Sequence, residues 1–275
     1  MKKIISFGDS FTAGLGTDLH YEESHLGGHP DWATMTDKEK NKRRREINKF
    51  RNEHSFTKYF CDYFPEAKWE NHGKIGCCNK DILNRIFERD KQHPHNELYE
   101  DYFYLIQWSS SLRDSLPWFP QIYNDTRYFG LSTGIKSLTV TLEAGRSIWK
   151  GDDRVEGLAD FLKQYLQKYI VESYNEDYYK IYNGSILHLL IDFLNFRKVK
   201  YIIMDGFEPM INDNKFLDTK YYWGYGDKTI HSHLKTYKDE SLFEDQEETW
   251  NCAHPSKKGH KLFAEELFRF YNEVY

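Results

Sequence analysis

Met1-Lys2-Lys3-Ile4-Ile5-Ser6-Phe7-Gly8-Asp9-Ser10-Phe11-Thr12-Ala13-Gly14-Leu15-Gly16 opens the chain and decides the reading of its architecture. Ile4, Ile5 and Phe7 form a short apolar run with β-branched members, and Gly8 ends it, the pattern of a buried strand meeting a tight turn. Asp9 and Ser10 follow, with short oxygen-bearing side chains suited to accept from free backbone N–H groups at the start of a helix. Open α/β sheets bind ligands outside the carboxyl ends of their strands, so this reading turns Ser10 toward that crevice. A serine there is a candidate nucleophile. The plainer reading of the same residues is a helix cap without chemistry.

Working outward, residues 55–64 carry apolar positions at helical spacing and stop before Pro65, and a second strand is expected at 67–70. A helix is expected over 79–87. Residues 102–108, Tyr-Phe-Tyr-Leu-Ile-Gln-Trp, form the clearest central strand, apolar and aromatic on both faces as a parallel strand between helices should be. Helices follow at 155–174 and 178–197, then a buried strand at 199–205. This alternation of strand and helix gives an α/β domain with a parallel sheet. Residues 115–153 and 207–250 read as irregular, aromatic-rich insertions, and His231 with His233 is a candidate metal pair in an extended segment without a third ligand. Near the far end, Asn251-Cys252-Ala253-His254-Pro255 leads into an amphipathic helix, which leaves His254 on the loop before it.

With 275 residues the chain is long enough to bury a full core, and a single domain over 1–275 is expected. A net charge of −5 gives no general attraction to nucleic acid or to an anionic membrane. No stretch approaches the roughly 18 apolar residues of a spanning helix, and the run before Gly8 is too short for a signal-peptide core. The chain is therefore expected to be cytoplasmic. Its Lys-, Asn- and Tyr-rich composition suggests an AT-rich genome, a virus being one source that fits, in which case association with a virion is an option; composition does not name a host. Four cysteines, Cys61, Cys77, Cys78 and Cys252, suit a reducing compartment and read as packed small residues. No cofactor and no metal is called for.

The serine on the first turn and the histidine before the last helix, with Gly76 and residues 109–111 between them, resemble the blocks of the SGNH (GDSL-type) hydrolase family. Gly8-Asp9-Ser10 matches the first block in full. Asn71-His72-Gly73-Lys74-Ile75-Gly76 matches the Asn-x-x-x-x-Gly of the second. The third block, Gly-x-Asn-Asp, is replaced by Ser109-Ser110-Ser111, with Ser109 at the glycine and Ser111 at the asparagine. The last, Asp-x-x-His-Pro, keeps His254 and Pro255 but has Asn251 in place of the aspartate. The resemblance implies a three-layer α/β/α sandwich around a central, mostly parallel sheet of flavodoxin-like topology. It implies Ser10 as nucleophile, His254 as base and Asn251 in the place of the orienting acid. The oxyanion would be held by the backbone N–H groups of Ser10 and Gly76 and by a hydroxyl from Ser109 or Ser111. Gly8, Asp9 and Asn71 are supporting residues. The substrate implied is a small-molecule or carbohydrate ester, with abundant Tyr and Trp tilting the expectation toward an O-acetylated carbohydrate.

Residues 18–54 read as a charged helical insertion, with a capping box at Thr36-Asp37-Lys38-Glu39 and a thin stripe of Ile47 and Phe50. It lies close enough to the first turn to overhang the site, with His20, His25, His29 and Trp32 as its candidate substrate contacts. Its basic run from Lys38 to Arg45 is interleaved with acid and reads as a solvated face, so nucleic acid is not expected as a partner. The rival to the esterase reading is a weakly active or inactive relative that binds a glycan or a protein, motivated by the departures at Asn251 and at Ser109 to Ser111.

Overall fold

Strand β1 (Lys3–Gly8) is buried on both faces from Ile4 onward, which requires a layer of helices on either side. The computed structural model describes residues 1–18, 34–75, 77–94, 97–109, 113–117, 137–141, 176–207, 209–210, 218–243 and 254–275. In chain order β1 is followed by α1 (Asp37–Glu53), α2 (Phe56–Cys61), β2 (Lys68–Gly73), α3 (Asn79–Lys91) and β3 (Tyr102–Trp108). Then come β4 (Arg113–Pro117), β5 (Ser137–Thr141), α4 (Glu176–Arg197), β6 (Lys200–Asp205), β7 (Tyr222–Trp223), α5 (Ile230–Lys235) and α6 (Lys257–Val274).

The main sheet has the order β2-β1-β3-β6-β7 with every neighbouring pair parallel. This is the flavodoxin-like doubly wound order, whose topological switch point lies between β1 and β3. Side chains alternate between the two faces with period 2. Ile5, Phe7, Tyr104, Ile106 and Ile203 pack with Ile82 and Ile86 of α3 and Leu187, Leu190 and Leu194 of α4. Ile4, Phe103, Leu105, Ile202 and Met204 pack on the other face with Phe56 and Phe60 of α2, Leu234 of α5, and Phe263 and Leu267 of α6. Each such side chain contributes about 1.5–3 kcal/mol when fully buried. The fold is an α/β/α sandwich, as the sequence leads one to expect.

Several local expectations need correction. Residues 10–16 form a run of turns rather than a helix. Gly14 and Gly16 take φ of 73° and 97°, and a Cβ on Gly16 would lie 2.6 Å from the Pro255 carbonyl oxygen, so the backbone there serves close packing against the His254 loop. Strand β2 begins later and ends later than expected, because Ser6, Phe7 and Gly8 hold Asn71, His72 and Gly73 in parallel register. The stretch expected to be irregular from 115 contains β5 and most of β4, an antiparallel pair. The one from 207 contains β7 and α5. His231 and His233 are therefore on a helix rather than an extended segment and diverge, His231 toward Phe207 and His233 toward Trp223. The helix expected at 155–174 lies outside the described residues, as do Cys252, His20, His25, His29 and Trp32.

Helix α1 has the capping box: the Glu39 N–H donates to Thr36 Oγ1 at 3.3 Å, and the Thr36 N–H donates to the Glu39 carboxylate at 2.8 Å. Ile47 is its buried residue. Arg51 near its end donates to Asp18 at 2.7 Å, with both side chains largely buried, and so fastens the helix to the first turn.

Candidate active site

At the carboxyl end of β1 the chain folds back sharply over its own strand. A Cβ on Gly8 would stand 2.7 Å from Gln107 Oε1 and closer still to the Thr12 hydroxyl, so glycine leaves room for these two side chains to meet beneath the turn. Asp9 Oδ1 accepts from the Phe11 N–H at 3.0 Å, an Asx turn that starts the Ser10 loop. Gln107, fully buried on β3, reaches across the switch point. Its Oε1 accepts from the Asp9 N–H at 3.0 Å and from the Thr12 hydroxyl at 3.1 Å, and its Nε2 donates to the Trp108 carbonyl at 2.8 Å. From the other side Asn71 on β2 donates to the Thr12 carbonyl at 2.7 Å and accepts from the Gly73 N–H at 2.8 Å. Three strands thus clamp the loop that carries Ser10.

His254 arrives on the loop ahead of α6. Ser256 caps that helix by accepting from the Gly259 N–H at 3.3 Å, and its own N–H donates to the Leu242 carbonyl at 2.8 Å. Pro255 forms an antiparallel bridge with Phe243. Behind the loop, His260 is buried and its Nδ1 accepts from the Phe56 N–H at 3.2 Å. Burial holds its pKa down to about 3, so it is a neutral acceptor joining α6 to α2. The ring of Phe11 packs 5.1 Å from that of His254. Within this frame His254 Nε2 lies 2.7 Å from Ser10 Oγ, although the two are 244 residues apart. With the ring proton on Nδ1, the serine hydroxyl donates to Nε2, the geometry from which a base removes a nucleophile's proton.

The other residues singled out in the sequence fare differently. Ser109 follows β3 beside the Ser10 loop, but its hydroxyl donates to Asp9 Oδ2 at 2.8 Å. Ser109 is also clamped through its backbone: its N–H donates to Asn79 Oδ1 at 2.7 Å, and its carbonyl accepts from Asn79 Nδ2 at 3.0 Å. The same Nδ2 donates to Asn183 of α4 at 2.9 Å. Gly76, Ser111 and Asn251 lie outside the described residues. Cys77 is buried, and burial pushes its thiol up to about 11, which leaves it protonated and without nucleophilic character at neutral pH.

Gln107, Asn79, Asn183 and His260 escaped the sequence reading. A signal was present for Gln107, a polar residue inside the apolar run from Tyr102 to Trp108, since a buried polar side chain must have partners. No comparable signal marks the other three.

No family model matches the chain, and no curated relative matches it in sequence. Among solved structures it is similar to a member of the lipolytic protein G-D-S-L family from Veillonella parvula DSM 2008. That pair is 10% identical with a TM-score of 0.36 and covers 100% of both chains. A lipase from a goat rumen metagenome is 11% identical, with a TM-score of 0.44 over 98% of this chain and 97% of that one. An alpha/beta hydrolase enzyme from the metagenome of Lake Arreo, Spain, is 10% identical, with a TM-score of 0.42 over 100% and 96%.

Proposed function

We propose that the chain is a serine esterase whose single catalytic domain spans residues 1–275. The observation that carries this reading is the 2.7 Å contact between Ser10 Oγ and His254 Nε2 at the switch point of the sheet. His254 takes the proton of Ser10 as the oxygen attacks the acyl carbon of an ester. The imidazolium then returns that proton to the leaving alcohol, and water releases the acyl group through the same base. Backbone N–H groups of Ser10 and Gly76, with the Ser111 hydroxyl, are the proposed donors to the oxyanion. In sequence, Asn251 occupies the position at which the resembled pattern has its aspartate. The substrate proposed is an O-acetylated carbohydrate.

The test is a fluorophosphonate probe, which reacts with an activated serine. Covalent labelling of the wild type that vanishes in Ser10→Ala is the expected result, and a wild type that does not label at all sinks the reading. A second reading, a weakly active or inactive binder of glycans, is favoured by the engagement of the Ser109 hydroxyl with Asp9, which leaves one fewer donor for an oxyanion. An unlabelled protein that still retains acetylated glycans on a column supports that reading instead.

A further inference from the structure

Beyond His254 lies a row of rings that the chemistry above does not use. Phe207 follows Gly206 at the carboxyl end of the sheet and is 49% exposed. Its ring is stacked on that of His231, with centroids 4.5 Å apart and planes 25° apart. His231 is buried at 8% exposure and meets Phe243 edge-on at 5.3 Å. Phe243 is bridged to Pro255, the residue after His254. The backbone before Phe207 also lies close to the ring beside His254. A Cβ on Gly206 would lie 3.4 Å from Phe11 Cδ2, and Phe11 is the ring packed on His254. Phe207, His231 and Phe243 thus form a run of ring contacts that leads to Pro255, the residue beside His254.

An exposed phenylalanine by itself means little, since single apolar side chains are common on protein surfaces. Phe207 differs in its support. The His231 N–H donates to the Gly206 carbonyl at 3.1 Å, which fixes the backbone beneath the ring. One face of the ring lies on a buried imidazole. Burial lowers the pKa of that imidazole to about 4, so at neutral pH the support is an uncharged flat surface. A side chain placed only to fill the core would be covered; this one is held firmly and left half open at the end of the sheet where ligands bind.

The side of the site to which this run leads determines what it touches. The leaving alcohol takes its proton from His254, so it departs on the histidine side of Ser10, while the carbonyl oxygen points toward the backbone donors. We infer that Phe207, seated on His231, is the platform for the leaving alcohol, and that this alcohol carries a ring whose face stacks on the phenyl group. A pyranose, through its axial C–H groups, and an aryl ring both have such a face. This inference rests on the esterase reading and goes beyond it by assigning the alcohol subsite.

Three acetates with a common acyl group test it: ethyl acetate, phenyl acetate and an acetylated glucopyranoside. Comparing variant with wild type on each ester cancels the ester's own reactivity. Phe207→Ala is expected to lose about five- to tenfold more in kcat/KM on the ring-bearing acetates than on ethyl acetate, with the loss mainly in KM, because stacking binds ground and transition states alike. Phe207→Tyr restores the preference and Phe207→Leu, apolar but without a ring face, does not. A preference lost on the glucopyranoside alone assigns a sugar, and one lost on phenyl acetate alone assigns an aryl group. Equal losses on all three esters, or none, overturn the platform while leaving the esterase standing. No turnover of any ester by the wild type removes both.

Discussion

The Ser109 hydroxyl donates to the Asp9 carboxylate at 2.8 Å, joining the end of β3 to the residue immediately before Ser10. A hydroxyl engaged in this way braces the loop that carries the nucleophile. Ser109→Ala is therefore expected to lower stability by about 1–3 kcal/mol, the cost of leaving a buried acceptor without one of its donors. Turnover should stay within about threefold of wild type. Urea midpoints and kcat on an activated ester measure both quantities. A fall of about 10²–10³ in turnover at unchanged stability would instead make Ser109 an oxyanion donor.

Gln107 joins the same loop to β3 through the Asp9 N–H and the Thr12 hydroxyl. Gln107→Leu keeps much of the volume but leaves a buried N–H without a partner, which costs about 1–3 kcal/mol. Because that N–H lies next to Ser10, kcat should drop by more than KM rises, as expected when a reacting group is displaced rather than when binding is lost. An unchanged kcat would show that the Asx turn and Asn71 suffice to hold Ser10.

Asn251 precedes His254 by three residues, where the G-D-S-L pattern described above has an aspartate. An amide carbonyl accepts from an imidazole N–H but brings no charge to stabilise the imidazolium, and the reversed amide favours the wrong tautomer, an error that costs roughly 10⁴ in serine proteases. Asn251→Asp is thus expected to raise turnover on an activated ester. If Asn251→Asp has no effect and Glu247→Gln or Glu248→Gln abolishes activity, the acid comes from that neighbouring pair.

His260 gives the fold a pH dependence of definite sign. Its pKa is about 3 in the folded chain, where burial disfavours the charged form, against an ordinary value of 6.5. Between those values the unfolded chain binds the extra proton, so stability rises with pH through the window, is fully present above it and is lost as pH falls toward 3. His260→Gln retains an acceptor for the Phe56 N–H without titrating. The variant should therefore lose less stability than wild type between pH 7 and pH 4 in urea melts. Asp205, which burial raises to about 7, contributes the opposite slope to both proteins and drops out of the comparison. Parallel curves for the two proteins would show that His260 does not titrate differently on unfolding.

Strands β1, β3 and β6 were legible in the sequence because each is covered on both faces, so that nearly every side chain must be apolar and the pattern is complete within six or seven residues. The same holds for the Thr36 cap and the break at Gly8, whose causes lie within a few residues of themselves. Residues 10–16 misled because the cap residues favour a helix locally, while Gly14 and Gly16 take positive φ to fit against Arg51 and the Pro255 loop, neighbours that lie far along the chain. The partner of Ser109 depends on distant neighbours in the same way. A hydroxyl adapts to whichever acceptor is nearest, and only the packing of β3 beside β1 brings the Asp9 carboxylate within 2.8 Å. His260 and Asn79 left no mark in the sequence, since a single buried polar residue on an amphipathic helix breaks no period. Local chemistry can name a serine on a turn and a histidine before a helix. Their meeting at 2.7 Å depends on the order of the strands and on the packing of α6 against α2, because a hydrogen bond is decided by positions in space and the sequence records only positions along the chain.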